Sequence, residues 1–168
     1  MDFDRILLDV LRSRGQERFE IKPKQKEALQ KIVLDGKDCV IVLPTGYGKS
    51  LVYQLLPSLF DRVSKDSSKG KSVVIVVSPL NALIDDQINK LNTLGVCCAS
   101  LRFSGEEADA RFEGSFLENL QAGNFQLLFT HPEVAVNNKH CRELFLSNHY
   151  QRNVVAVVVD EAHCIIEW

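Results

Sequence analysis

Apolar residues along the chain follow two alternating rhythms. In MDFDRILLDVLRSR, Phe3, Ile6, Leu7, Val10 and Leu11 recur at three- and four-residue steps, which predicts an amphipathic helix. IKPKQKEALQKIVLDG predicts a second helix, with Pro23 in its first turn and Gly36 at its C-terminal cap. The rhythm then changes to short runs rich in β-branched residues, of the kind found in strands buried on both faces. These are DCVIVLP, VVIVV (Val73 to Val77), VCCASL, QLLFT and Val154 to Val159. Helical patterns separate them: SLVYQLLPSLF up to about Pro57, LNALIDDQINKLNTLG stopping at Gly95, EEADARFEGSFLENLQAG weakened by Gly114, and a short HCRELFLSN. SKDSSKGK is a solvated loop, and neither repeats nor low-complexity tracts interrupt the order. Alternating strands and helices predict an α/β fold with a mostly parallel sheet flanked by helices.

Composition adds little to this picture and removes some alternatives. With 168 residues and 45% apolar content, the chain suits one soluble globular domain. Twenty basic against 22 acidic side chains leave a net charge of −2, so any nucleic-acid contact must be local. The first helical stretch is too short and too charged for a signal peptide or a membrane span, and no membrane partner is expected. Among the 5 cysteines there is neither a CxxC pair nor zinc spacing, which favours a reduced intracellular compartment.

The chemistry concentrates in two places. LPTGYGKS, Leu43 to Ser50, lies between a predicted strand and a predicted helix. Gly46 and Gly48 let the backbone turn tightly around a phosphate, and the helix start adds its positive dipole end. Lys49 can reach the β- and γ-phosphates, and the Ser50 hydroxyl can ligate Mg²⁺. The strict G-x-x-x-x-G-K-[ST] form has glycine where this chain has Leu43, and a strand-to-helix turn with an incidental lysine is the competing reading. The second place is VVVDEAHCIIEW, where a buried strand would deliver Asp160 at its C-terminal end, the side on which open α/β sheets bind ligands. Asp160 would hold Mg²⁺ opposite Ser50, and Glu161 would polarise a hydrolytic water. Surface acids after a buried strand are the alternative. Together the two stretches predict an ATPase.

Several segments resemble motifs of RecQ-type DNA helicases, in helicase superfamily two. LPTGYGKSLVYQLL is similar to motif I, SPLNALIDDQ to motif Ia, LLFTHPE to the T-x-P-E segment, and DEAHCIIEW to motif II. RFEIKPKQ resembles motif 0, which recognises adenine. The resemblance runs from about Phe19 to Trp168, giving an N-terminal amphipathic helix at 1–18 and a partial ATP-binding, RecA-like domain at 19–168. SPLNALIDDQ stands where RNA helicases of the DEAD-box type show P-T-R-E-L-A, and HCIIEW also favours the RecQ kind.

The resemblance implies ATP and Mg²⁺ as cofactors and DNA as partner. It assigns catalysis to Lys49, Asp160, Glu161 and His163, the last coupling nucleotide state to DNA through a second motor lobe. Nucleotide binding falls to Lys22, Gln25, Thr45, Gly46, Tyr47, Gly48, Lys49 and Ser50. Gln25 would read the adenine edge by a bidentate amide contact. Lys22 stands where the family usually has a base-stacking arginine, and lacks the planar guanidinium. Tyr47 replaces a glycine of many members and is expected to point outward. Ser78, Asn81, Gln87 and Thr130 would face the phosphates of a single strand, and Trp168 would offer a stacking face.

The implied activity is ATP-driven 3′→5′ translocation on and unwinding of DNA, in repair and recombination, in the nucleus of a eukaryote or the cytoplasm otherwise. A nucleotide-binding module without motor activity, or an RNA helicase lobe, are the alternatives. Motif III, the rest of the aromatic-rich loop and a second RecA-like lobe with its arginine finger are missing from these residues. In RecA-like folds the strand after the acidic motif lies between that motif's strand and the phosphate-loop strand. The expectation is therefore a fragment of a longer product, incomplete at its C-terminal end, with little unwinding or hydrolysis alone and weak unfolding cooperativity.

Overall fold

The computed structural model describes residues 2–64, 70–101 and 114–167. They gather into two compact units, 1–67 and 68–168.

The first unit is helical: α1 (Phe3–Ser13), α2 (Pro23–Val33) and α3 (Lys49–Val63). Asp2 caps α1 by accepting from the backbone N–H groups of Asp4 and Arg5. The predicted stripe is the buried one, Phe3, Leu7, Val10 and Leu11. Both α1 and α2 pack on α3, whose Leu55 and Leu59 are fully buried. Arg14, just past α1, donates from Nη2 to Ser58 Oγ on α3 at 2.8 Å. Burial of that guanidinium pulls its pKa down to about 10.

Two expectations fail in this unit. The helix does not end near Pro57 but continues to Val63, with Pro57 buried inside it. Pro57 forfeits one backbone donor, and the apolar face of α3 outweighs that loss. The strand expected at DCVIVLP does not form: residues 36–44 carry no regular structure, and Val40 and Val42 are 93% and 88% exposed. β-branched residues favour extended backbone, but a strand exists only where a neighbour satisfies its N–H and C=O groups.

The second unit holds a four-stranded sheet of β1 (Val73–Val77), β2 (Cys98–Leu101), β3 (Leu127–Thr130) and β4 (Val154–Val159). Its order is β2-β3-β1-β4, and every pairing is parallel. The α/β class and the parallel sheet are thus as the sequence predicts. Its described helices are α4 (Asn81–Thr93), α5 (Gly114–Gln121), α6 (Pro132–Asn137), α7 (Lys139–Leu146) and α8 (Asn148–Asn153), followed by a 3₁₀ turn at Ala162–Glu167. The start of the helix expected from EEADARFEG lies outside the described residues. β1 and β3 are buried almost throughout, as central parallel strands require. β4 lies at one end of the strand order, and its Val157 is 63% exposed. A core cluster joins Val73, Ala99, Leu101, Leu120, Leu128, Cys141 and Tyr150. Within it the buried Tyr150 hydroxyl donates to the Leu120 carbonyl at 2.7 Å.

Candidate nucleotide and nucleic-acid site

In the first unit the two glycines expected to turn around a phosphate both adopt left-handed backbone. Gly46 and Gly48 have φ of 78° and 91°, in the left-handed region where L side chains are strained. Gly48 is the N-cap of α3, and no side chain caps that end. No side-chain cap therefore competes for the first-turn N–H groups at the positive end of the helix dipole, the feature by which helix starts bind anions. Lys49 and Ser50 form the first turn and are half-buried.

Gln25 is central to this loop. It is 2% exposed. Its Nε2 donates to the Tyr47 carbonyl at 3.0 Å and to the Gly48 carbonyl at 2.9 Å. Its Oε1 accepts from the Lys22 backbone N–H at 2.9 Å, which caps α2 from its third position. Gly48 is also sterically locked, because a Cβ there would lie 2.7 Å from Gln25 Nε2. The amide that the resemblance assigns to the adenine edge thus has both its ends engaged by backbone. Above the loop, the Lys22 ammonium sits 4.2 Å from the centroid of the Tyr47 ring. Tyr47 is half-buried under that ammonium.

In the second unit β4 ends where the acidic pair begins. The Asp160 N–H donates to the Val77 carbonyl at 2.9 Å, one step beyond the β1–β4 register. Asp160 Oδ1 then accepts the Glu161 N–H at 3.0 Å. Glu161 has φ 52°, the only positive value among the described non-glycine residues. Such a conformation costs a non-glycine residue on the order of 1–3 kcal/mol and clusters at working sites. The Glu161 carboxylate lies 3.3 Å from His163 Nδ1. His163, expected to couple nucleotide and DNA, is exposed beside the acid proposed to polarise water.

The residues expected to face DNA divide by burial. Ser78 and Thr130 follow or end the adjacent strands β1 and β3, and the Ser78 N–H donates to the Thr130 carbonyl at 3.0 Å. Both are buried: Ser78 is 3% exposed with its Oγ unpartnered, and Thr130 is 0% exposed with its hydroxyl 3.3 Å from the His131 carbonyl. Asn81, at the start of α4, is exposed and Gln87 half-buried. Trp168 lies outside the described residues. Ser78, Thr130 and Asp160 therefore sit at the C-terminal ends of three neighbouring parallel strands, the edge at which such sheets bind ligands.

Sequence reasoning named Lys22, Gln25 and Tyr47 singly and missed their mutual contacts. No periodicity links residues so far apart. The one available signal was chemical, an aromatic between two glycines of a phosphate loop and a lysine in the position of a stacking arginine.

Residues 22–168 match the family model described as DEAD/DEAH box helicase. The chain is 35% identical over 158 residues to the ATP-dependent DNA helicase hus2/rqh1 of Schizosaccharomyces pombe, covering 91% of this chain and 11% of that protein. It is similar to the RecQ-like DNA helicase BLM of Xenopus laevis, at 35% over 156 residues, 92% of this chain and 10% of that one. Its identity to the ATP-dependent DNA helicase RecQ of Haemophilus influenzae is 31% over 169 residues, 96% of this chain and 23% of the relative. The chain thus spans 10–23% of the length of these relatives.

Proposed function

Since this chain belongs to the DEAD/DEAH box helicase family, we propose that it is the ATP-binding part of a RecQ-like helicase that moves 3′→5′ along DNA. The observation that supports this most directly is the Gly46–Gly48 cradle, held by Gln25 at the uncapped start of α3. Lys49 neutralises phosphate charge there, and the α3 N–H groups donate to the phosphate oxygens. Glu161, oriented through the left-handed turn and His163, takes a proton from the attacking water.

Among the described residues no group of three or more His, Cys, Asp or Glu gathers as a metal centre. The Ser50 hydroxyl and the Asp160 carboxylate are oxygen donors of the kind Mg²⁺ takes, one or two from protein, with phosphate and water filling its remaining positions. Ser50 and Asp160 would hold it, and it would offset charge on the phosphates. Asn81 and Gln87 serve a single strand of DNA, with backbone at the ends of β1 and β3 rather than the buried Ser78 and Thr130 hydroxyls. No described helix is long and apolar enough to cross a membrane. Unwinding, a second motor lobe and a nuclear or cytoplasmic setting belong to the proposal for the longer protein.

Titration of the chain with ATP and Mg²⁺ tests the reading. Lys49→Ala should weaken binding at least about tenfold, the loss of one charge-assisted contact. Unchanged affinity in Lys49→Ala would sink it. Phosphate release by the chain should stay slow with or without single-stranded DNA, and fast DNA-stimulated release would refute the need for further parts.

A further inference from the structure

The backbone ladder between β1 and β4 runs one residue past the last strand pair, Val77 with Val159. In a parallel ladder an N–H bonds the residue before the one it stands opposite. The Asp160 N–H donates to the Val77 carbonyl at 2.9 Å, so Asp160 stands opposite Ser78. Pro79 has no N–H to offer the Asp160 carbonyl, and the ladder ends at this pair. Residues opposite one another on parallel strands point to the same face of the sheet, with their backbones about 4.8 Å apart. Ser78 and Asp160 therefore share the face of Val76 and Val158.

The two side chains differ in how they are held. Asp160 is half-buried, and its Oδ1 is turned back onto the Glu161 N–H at 3.0 Å. Ser78 is 3% exposed, and its Oγ has no hydrogen-bond partner. Thr130, on the far side of Ser78, already has its hydroxyl 3.3 Å from the His131 carbonyl. A buried hydroxyl without a partner is destabilising, and rotation about one torsion aims it at a new acceptor. The acceptor that the register sets beside it is a carboxylate. Carboxylates that hold metal ions are themselves hydrogen-bonded, and those partners fix how they face the ion.

Resting on the reading above that Asp160 holds Mg²⁺ with a nucleotide, we infer that Ser78 is a positioning residue for that carboxylate, its O–H donating to the Asp160 side chain when the ion is bound. The hydroxyl stays neutral and needs no bond to the ion. It fixes the direction of a carboxylate that otherwise has one oxygen tied to its own turn. A charge-assisted bond from a buried donor is stronger than one made in water, which suits the task. The serine that the resemblance sets against DNA thus acts on the nucleotide side of the sheet edge.

The experiment is calorimetric titration of the 168-residue chain with ADP, once with Mg²⁺ and once with EDTA in its place. The quantity read is the gain in ADP affinity that the ion confers. Ser78→Ala should cut that gain about tenfold, the lower range for losing a partner of a metal ligand, and leave the affinity in EDTA unchanged. Ser78→Thr, which keeps the hydroxyl, should recover the gain. A purely structural role would weaken ADP equally with and without the ion and lower the urea midpoint. Ser78→Ala should instead keep the metal-free midpoint at or above the parent's, because it deletes an unpaired buried hydroxyl. The parent's Mg²⁺ gain in Ser78→Ala overturns the inference, as does an equal loss in both titrations, or a Ser78→Thr variant that keeps its far-UV spectrum and binds as weakly as Ser78→Ala. A parent without any Mg²⁺ gain, or Asp160→Asn with the parent's gain, would instead overturn the metal reading on which the inference rests.

Discussion

Gln25→Glu exchanges one amide nitrogen for an oxygen and tests the clasp on the phosphate loop. The acceptor toward the Lys22 N–H survives, at 2.9 Å. The atom that donated to the Tyr47 and Gly48 carbonyls at 3.0 and 2.9 Å becomes a carboxylate oxygen facing two carbonyl oxygens. Two hydrogen bonds are lost at about 1 kcal/mol each, and a further contribution of similar size comes from desolvating an unpaired charge at a 2% exposed side chain. The variant should therefore be less stable than the parent by about 3 kcal/mol at pH 8. Repulsion and burial raise the folded pKa of the introduced carboxyl above its unfolded value of about 4.3. A raised folded pKa gives stabilisation fully present below the unfolded value and lost as pH rises through the folded one. Once protonated, the carboxyl donates to one of the two carbonyls again, so the deficit should shrink to about 1–2 kcal/mol at pH 5. Urea unfolding of parent and variant at both pH values, followed by far-UV circular dichroism, measures the difference. A deficit under about 0.5 kcal/mol at pH 8, or one equal at both pH values, would refute the clasp.

Three other outcomes follow from the same geometry. Gly48→Ala combines a φ of 91° with a Cβ 2.7 Å from Gln25 Nε2, so it should cost about 1–3 kcal/mol in urea unfolding and weaken ADP in calorimetry. Tyr150→Phe should cost about 1–2 kcal/mol by orphaning the Leu120 carbonyl. In the parent, burial pushes the Tyr150 phenol from 10.0 up to about 12, so its contribution is intact below pH 10, falls as pH rises toward 12, and is absent from the Phe variant's pH profile. With a maleimide at pH 8, exposed Cys97 should react first. Cys98 and Cys141, whose thiols burial raises to about 11 and about 12, should resist until urea is added, as peptide mass mapping would report.

Much of the fold was legible because the relevant patterns are local. The α1 stripe, the valine runs of β1 and β4, and the glycine stop of α4 each carry their own period or cap. The glycine turn at the start of α3 was legible for the same reason, since Gly46, Gly48, Lys49 and Ser50 are near neighbours in the chain. Pro57 misled because a proline weighs heavily within a local window, while the apolar face that carries α3 past it is set by α1 and α2. The burial of Ser78 and Thr130 was equally invisible, because it depends on which strands become neighbours. At Gln25 the chain names a residue and not its partner. The amide could face a base or a backbone, and only the fold places two carbonyls within 3.0 Å of it.

The expected strand at DCVIVLP makes the limit of local reasoning measurable. Val40 and Val42 have the same side chain as Val74 in β1, yet they are 93% and 88% exposed and Val74 is 0%. Extended backbone preference is common to all three, and only Val74 has parallel neighbours, Leu127 and Ala156, to pair with. Burial should then decide the energetics. Removing two methyl groups at Val74 costs transfer free energy and leaves a cavity, so Val74→Ala should destabilise by about 2–3 kcal/mol. The double substitution Val40→Lys with Val42→Lys removes no packing and should stay within about 0.5 kcal/mol of the parent in urea unfolding. A loss above about 1 kcal/mol from the double lysine variant would mean that the run is packed as a strand in solution, and that the alternation of strand and helix read from the sequence holds through residues 38–44 after all.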